Sequence, residues 1–138
     1  LGRPFWEKVA AAIQGKPPQD VYRIDLTLMT APGFAEKHPD IIEKAAALRM
    51  RHPQPLHAFL RQLAACNAFD HNSRTPDITR PTQIILGNDD PIFPIALAED
   101  FQKALPEAKM IIYENCGHAI HLEKAGELTR DIREFLKV

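Results

Sequence analysis

The amino-acid sequence predicts an α/β fold in which a helical first part is followed by a βαβα unit with two parallel strands. Apolar residues in the first part follow helical spacing, in pieces kept short by many of the chain's 12 prolines. Two short runs of apolar and β-branched residues come later, and the segment between them is long enough for the crossover helix of a parallel connection. We therefore divide the 138 residues into a helical region, 1–77, and a βαβα region, 78–138.

The composition is that of a globular protein, and it argues against two classes of partner. Hydrophobic residues make up 45% of the chain and charged residues 25%. The 17 Lys and Arg nearly balance the 18 Asp and Glu, and no basic cluster would follow a phosphate backbone, so we expect no nucleic-acid partner. The apolar runs reach only four or five residues and the first residues lack a signal-peptide pattern, so we expect a soluble protein that binds no membrane.

The two cysteines, Cys66 and Cys116, lie too far apart in the sequence to match a zinc pattern, and two are too few for a disulfide framework. We therefore expect a reducing, cytoplasmic location. The chain begins with Leu1, and its first residues resemble the interior of a protein, so we expect it to be a fragment of a longer one.

Two helices are predicted clearly in the helical region. The first covers "PDIIEKAAALRMRH", where Pro39 suits the start and basic side chains at the end complement the helix dipole: Arg49, Arg51 and His52. The second covers "PLHAFLRQLAACNAF", where Pro55 suits the first turn. Its apolar residues recur at the i, i+3, i+4 and i+7 positions of one face: Leu56, Phe59, Leu60 and Leu63.

The βαβα region begins with the run in "TQIILGNDDP", which Gly87 ends and which is typical of a strand buried on both faces of a parallel sheet. The next segment, "PIALAEDFQKALP", predicts a helix that stops at Pro106 and has one apolar face: Ala98, Phe101 and Leu105. The run in "KMIIYENCG" predicts the second strand. "AGELTRDIREFLKV" predicts a closing helix with its own apolar face: Leu128, Ile132, Phe135 and Leu136. We expect this βαβα unit to be right-handed.

The loops after the two predicted strands carry the candidate functional residues. "GNDDPIFP" offers a carboxylate from Asp89 or Asp90, and "ENCGHAIH" offers the imidazole of His118. Adjacent parallel strands bring such loops side by side at the carboxyl edge of the sheet. A carboxylate that binds one ring nitrogen of a histidine fixes its tautomer and leaves the other nitrogen free to act as a base.

The last sixty or so residues resemble the end of the α/β-hydrolase fold. The resemblance rests on the Gly-x-x-Asp-x-x-x-Pro spacing of Gly87, Asp90 and Pro94, and on the Gly117-His118 step, at the right separation. In that family the acid follows the seventh strand and the histidine follows the eighth. The resemblance therefore implies that Asp90 is the acid and His118 the base of a catalytic triad. It leaves Asp89 to a local turn bond.

The nucleophile of that triad has no counterpart in the sequence. The family places it on a Gly-x-Ser-x-Gly elbow after the fifth strand, upstream of the acid and the base. The single serine of this chain, Ser73, lies in a polar loop without flanking glycines. The resemblance thus implies the C-terminal part of a hydrolase, and we expect the isolated chain to be inactive.

The helical region resembles the cap domain that many of these hydrolases insert after the sixth strand. The segments "LMTAPGFAEKHPDIIEKA" and "LAACNAFDHNSRTPDITRPT" are similar to the cap of small-substrate lactonases and esterases of the 3-oxoadipate enol-lactonase type. This resemblance implies hydrolysis of a small ester or lactone without a cofactor. Dehalogenases, epoxide hydrolases and C–C bond hydrolases share the same acid and histidine and stay open as alternatives.

Several residues have competing interpretations. His118 would otherwise be a loop histidine that caps the next helix, and Asp90 a turn residue held extended by the proline after it. His121 and Glu123 with His118 suggest a metal site that lacks a third ligand at the right spacing, and Glu123 better suits anchoring the loop or starting the closing helix. Cys116 is a poorly placed candidate thiol nucleophile. Four large apolar residues are candidates for the core or for a substrate pocket: Trp6, Phe34, Met50 and Phe59.

A function from another class also stays open. The chain would then be a non-catalytic or interaction module that keeps the hydrolase fold. In either case, two parallel strands leave an apolar sheet edge that tends to pair with another chain. We therefore expect the chain to self-associate through that edge.

Overall fold

The computed structural model describes residues 3–69 and 75–137, and helices fill most of its first part. Their bounds are α1, Arg3–Ile13; α2, Pro18–Met29; α3, Phe34–Lys37; α4, Pro39–Arg51; and α5, Leu56–Ala68. A short 3₁₀ turn, Thr75–Asp77, leads to the strands. The two helices that the sequence predicts clearly are therefore confirmed as α4 and α5. The division at residue 77 stays a prediction.

The second part has the predicted order of strand, helix, strand and helix, with one added turn of helix. Its elements are β1, Gln83–Gly87; α6, Ala96–Ala104; β2, Lys109–Tyr113; α7, Ile120–Glu123; and α8, Ala125–Leu136. The two strands are parallel, in a register that pairs Gln83 with Lys109 and Gly87 with Tyr113. Both strands therefore end at the same edge of the sheet.

Prolines set where three of the helices begin. Pro18 and Pro39 occupy the first helical positions of α2 and α4, where a missing N–H costs no hydrogen bond. Pro55 lies one residue before α5 rather than inside its first turn. Arg49 and Arg51 lie in the last turn of α4, where positive charge complements the helix dipole as the sequence predicts.

Helices α2 and α4 pack together through an apolar cluster and two sets of ion pairs. The buried members of the cluster are Leu26, Ile42 and Ala46. Arg23 on α2 binds both carboxylate oxygens of Glu43 on α4, and the Arg49 guanidinium donates to Asp25 at 2.7 Å. Exposed ion pairs add little to stability, so the apolar cluster is the main source of the stability of this helix pair.

Side chains from the second part complete the core of the first. Leu122 of α7 packs against the cluster between α2 and α4. Ile92, which follows β1, is buried with Phe5 and Val9 of α1, and Phe93 packs beside them. The loops after the two strands are therefore held against the helices.

The sheet is less buried than the sequence predicts. A strand covered on both faces is expected for β1, yet four of its five residues are only half-buried and Gly87 alone is buried. Ile112 of β2 is 42% exposed, and on the predicted apolar face of α8 Ile132 is 39% and Leu136 59% exposed. The prediction is wrong in degree because the helices α6 and α8 do not fully cover the two faces of this two-stranded sheet.

A buried hydrogen bond fixes α8 to the end of β2. The Tyr113 hydroxyl donates to Asp131 Oδ2 at 2.6 Å, and both residues are buried. Burial, together with the Asp131 carboxylate, raises the pKa of Tyr113 to about 12, while the Tyr113 hydrogen bond lowers the pKa of Asp131. At neutral pH the pair is thus a neutral donor and a charged acceptor, which makes a strong hydrogen bond.

Two glycines allow three backbone segments to meet at the carboxyl edge of the sheet. A Cβ atom on Gly87 would lie 2.2 Å from the carbonyl oxygen of Cys116. A Cβ on Gly117 would lie 2.6 Å from backbone atoms of Met29, Thr30 and Ala31, where α2 ends. Any other residue would force these segments apart.

None of the described helices has the length and apolar character of a membrane span, since the longest have 13 residues.

We expect Gly117→Ala to destabilise the fold, because the added methyl group would collide with backbone rather than with a movable side chain. The free energy of unfolding, measured by urea denaturation, should fall by roughly 1–3 kcal/mol. Gly126→Ala is the matched control: a Cβ there meets nothing within 4 Å, and the position is helical. The control should gain up to about 1 kcal/mol, and an equal loss in both variants would contradict the close approach.

Candidate active site

Asp90 is held by the turn that follows β1. Its Oδ1 atom accepts hydrogen bonds from the backbone N–H groups of Ile92 at 2.7 Å and Phe93 at 2.9 Å. Its side chain is only 3% exposed. The turn residues therefore fix one oxygen of the carboxylate and leave Oδ2 directed at a partner.

That partner is His118, from the loop after β2. His118 Nδ1 lies 2.9 Å from Asp90 Oδ2. The imidazole stacks on the ring of Phe93, with centroids 5.7 Å apart and planes at 19°. The backbone N–H of His118 donates to the carbonyl of Met29 at 2.8 Å. The ring is thus fixed by a hydrogen bond, a stacking contact and its own backbone.

The pairing assigns different roles to the two ring nitrogens. Because the carboxylate can only accept while it is ionised, the proton of a neutral imidazole belongs on Nδ1, which leaves Nε2 as the basic nitrogen. Burial alone would raise the pKa of Asp90, but the hydrogen bonds from His118 and from the Phe93 and Ile92 amides outweigh it and hold that pKa below its ordinary value. Asp90 is therefore a carboxylate at neutral pH.

The neighbouring acid, Asp89, does not compete for the histidine. Its side chain is exposed, and its backbone N–H donates to the Cys116 carbonyl at 2.9 Å. The backbone N–H of Asn88 likewise donates to the Tyr113 carbonyl at 3.0 Å. Backbone hydrogen bonds thus join the two loops just before Asp90. They place Asp90 beside the histidine.

A cavity of about 320 Å³ lies beside the pair. Asp90 and His118 are its polar lining, and the rest is apolar, from β1 and from Phe93, Phe101 and Ile120. A larger cavity, of about 490 Å³, lies between residues 78–82 and 104–108 at the opposite ends of the strands, and neither member of the pair lines it. Of these two cavities the smaller is the candidate site, because the hydrogen-bonded pair of Asp90 and His118 lines it.

Glu123, at the end of α7, anchors the histidine loop, as one of its two sequence interpretations predicts. The Gly117 N–H donates to both of its carboxylate oxygens at 3.0 Å. The Ala31 N–H donates to Oε2 at 2.8 Å. The carboxylate is thus committed to two backbone groups from separate parts of the chain.

The alternative chemistries suggested for this loop find little in their favour. Cys116 is fully buried, and burial, with a smaller effect of Glu123, raises the pKa of its thiol to about 12, so it is not a thiolate at neutral pH. Within residues 3–69 and 75–137, no group of three or more His, Cys, Asp or Glu side chains could hold a metal ion. His121 is exposed, and Glu123 is engaged by the backbone.

The four apolar candidates for a pocket do not line the cavity beside His118. Trp6 packs edge-on against Phe5 and Phe59 at centroid distances of 5.1 and 5.8 Å. Phe34 belongs to the cluster between α2 and α4, and Met50 is half-buried on α4. In the described part of the chain the interpretation as core therefore fits Trp6 and Phe34.

The sequence reasoning missed the residues that support the pair. Phe93 stacks on His118, and its position three residues after Asp90 is the signal that could have suggested it. The amides that hold Asp90 could have been inferred from the short turn. The Met29 carbonyl had no signal, because it comes from a helix end far away in the sequence.

The comparison with a protein family agrees with the geometry of the two loops. Residues 11–125 match the family model described as the alpha/beta hydrolase fold. The chain belongs to this family. The match covers helices, both strands and both members of the pair.

Curated relatives of this chain are named as a hydrolase and an esterase. A 2-hydroxy-6-oxononadienedioate/2-hydroxy-6-oxononatrienedioate hydrolase of Cupriavidus pinatubonensis is 35% identical over 83 residues, 59% of this chain and 29% of that protein. A pimeloyl-(acyl-carrier protein) methyl ester esterase of Vibrio vulnificus is 30% identical over 110 residues, 80% of this chain and 42% of that protein. The chain thus spans less than half the length of these relatives.

A solved structure supports the fold. The enol-lactonase of Burkholderia xenovorans superposes with a TM-score of 0.77 over 96% of this chain and 50% of its own, at 17% identity. This likeness is to the fold alone. Ser73, the single serine of the sequence, lies outside the described residues.

We expect the Asp90 hydrogen bonds to make stability depend on pH. A carboxyl whose pKa is lower in the folded than in the unfolded state stabilises the fold above its unfolded pKa and loses that effect as the pH falls through the folded pKa. At pH 7 the free energy of unfolding of the unsubstituted chain should be about 1.5–3 kcal/mol higher than that of Asp90→Asn. Urea unfolding should show the gap closing below about pH 4.

Asp89→Asn is the control for this measurement, because it makes the same chemical change at the exposed neighbour. Its unfolding free energy should match that of the unsubstituted chain at both pH values. A gap for Asp90→Asn that widened on acidification would contradict the assigned hydrogen bonds.

Proposed function

We propose that this chain supplies the acid and the base of a Ser-His-Asp hydrolase that acts on a small ester or lactone. One observation carries the proposal: His118 Nδ1 lies 2.9 Å from Asp90 Oδ2, on loops that leave adjacent parallel strands at the same edge. The apolar cavity beside the pair supports a small, largely apolar substrate.

The proposed mechanism follows from the two ring nitrogens. Nε2 of His118 takes the proton of the serine hydroxyl as it attacks the carbonyl carbon, and later gives it to the leaving alcohol. Asp90 keeps the ring oriented and stabilises the imidazolium that forms in between. Water then repeats the cycle on the acyl-enzyme, and no cofactor takes part.

We propose that the serine and the oxyanion donors come from a segment outside these 138 residues. No Gly-x-Ser-x-Gly pattern occurs in the sequence, the family places it upstream of the acid, and the chain spans less than half of its relatives. On this proposal the isolated chain has no triad activity.

A second substrate class is favoured by one comparison. The 35% identical relative is named for hydrolysis of a dienedioate rather than of an ester. The same acid and base would serve that reaction, so the presence of the pair does not distinguish between the two substrate classes. Assays of the complete protein with a dienedioate and with a small ester would distinguish them.

We expect His118→Ala and Asp90→Asn in the complete coding sequence each to abolish most turnover of a small chromogenic ester. The expected loss in kcat is about 10⁴-fold for Asp90→Asn and about 10⁶-fold for His118→Ala, by analogy with serine-protease triads. His121→Ala is the matched control, since His121 is an exposed histidine three residues away. Unchanged turnover in either variant would refute the assigned role, and a complete protein inactive on both substrate classes would favour a non-catalytic module.

We also propose that the isolated chain self-associates through its sheet edge. In the part of the chain that the structure describes, each strand pairs on one side only. Several large apolar side chains near the sheet are exposed: Ile112, Ile132 and Leu136. Open strand edges with such side chains tend to pair with a second copy.

Size-exclusion chromatography with light scattering should therefore give a mass that rises with concentration. Ile112→Lys should shift the chain toward monomer, because a lysine on an edge strand opposes pairing. Leu48→Lys, at a side chain that is 62% exposed on α4, is the control and should leave association unchanged. A clean monomer at high concentration would count against the proposal.

A further inference from the structure

Glu123 joins the histidine loop to the end of a distant helix. Its carboxylate accepts the N–H groups of Gly117 and Ala31, the latter 92 residues away in the sequence. Neither donor belongs to α7, the helix that Glu123 ends. The side chain therefore bonds to backbone groups outside its own helix.

The same two segments are also joined directly. The His118 N–H donates to the Met29 carbonyl at 2.8 Å, two residues before Ala31. Gly117 has no side chain to keep the segments apart, and its Cα faces the backbone of residues 29–31. Glu123 thus bridges a contact that the backbone makes on its own at only one point.

These bonds fix the two peptide groups that lead into His118. The Gly117 N–H, held by Glu123, fixes the first, and the His118 N–H, held by Met29, fixes the second. These bonds set the position of the His118 Cα atom, and Asp90 and Phe93 restrict the side chain beyond it. A displacement of about 1 Å can cost a factor of about 100 in rate when it misplaces a reacting group.

We propose that Glu123 is a positioning residue for His118: its carboxylate holds the Gly117 peptide against the end of α2, so that the imidazole meets Asp90 with Nδ1 as donor. The inference deepens the proposed function and rests on it, because placement of a base matters when the base is used. Hydrogen bonds to a charged acceptor are the stronger kind, which suits a carboxylate to this task.

The test uses ¹⁵N NMR of the His118 ring in the 138-residue chain with Glu123→Gln. Glutamine keeps the shape of the side chain but replaces one acceptor oxygen by an NH₂ donor. That donor cannot accept the hydrogen bonds of the Gly117 and Ala31 amides. The unsubstituted chain should show the Nδ1–H tautomer. In Glu123→Gln we expect loss of the Nδ1–H resonance and a mixture of the two tautomers.

Glu99→Gln is the matched control. Glu99 lies on α6, and its carboxylate is 79% exposed beside Lys103 at 4.0 Å. Its ring spectrum should equal that of the unsubstituted chain. If Glu123→Gln shifts the Gly117 and Ala31 amide signals but leaves the tautomer unchanged, Glu123 is a structural bridge and the inference fails.

Hydrogen exchange keeps the inference testable if Glu123→Gln does not fold. In the unsubstituted chain the amides of Ala31, Gly117 and His118 should exchange at one common opening rate, because Glu123 joins them into a unit. Independent rates would overturn the inference. Neither readout needs turnover, so failure here is distinct from failure of the proposed function, which the His118→Ala and Asp90→Asn assays decide.

Discussion

The close meeting of three backbone segments is the constraint on which the site depends. The end of β1, the loop after β2 and the end of α2 approach until carbonyl and amide groups touch, and Gly87 and Gly117 are the positions where no side chain would fit. The two residues of the candidate site follow directly from this meeting point. Asp90 follows Gly87 by three residues, and His118 follows Gly117 directly, so the glycines place both members of the pair within one hydrogen-bond length.

The polar groups at this crossing are satisfied in a particular way. Two carboxylates, those of Asp90 and Glu123, accept hydrogen bonds from backbone amides, and Asp90 accepts one more from the His118 ring. Backbone amides have no side-chain freedom to lose, so little conformational entropy opposes their bonds. They also carry no net charge, so Asp90 has the imidazole as its near ionisable partner.

The sequence predicts the local elements and the pairing of Asp90 with His118. It does not predict the backbone groups that hold the pair in place. The two runs after residue 78 predict β1 and β2, because periodicity and β-branching are local properties, and Asp90 and His118 follow from loop position and family spacing. The Met29 carbonyl and the Ala31 amide could not be foreseen, because they depend on where α2 ends relative to residues 117–123. The sequence led us to overestimate the burial of the sheet. An apolar strand can be buried on both faces, but its composition does not show which elements pack against it.

The three donors on Asp90 have a consequence for how hydrolases of this kind diversify. With Ile92, Phe93 and His118 all bonded to it, the carboxylate is a fixed pivot, and the imidazole presents the same nitrogen to whatever group stands opposite. Nothing in this pivot is fitted to a particular nucleophile or leaving group. On the proposed function, a change of reaction would need mutations elsewhere in the protein, while this acid and base could be inherited without alteration.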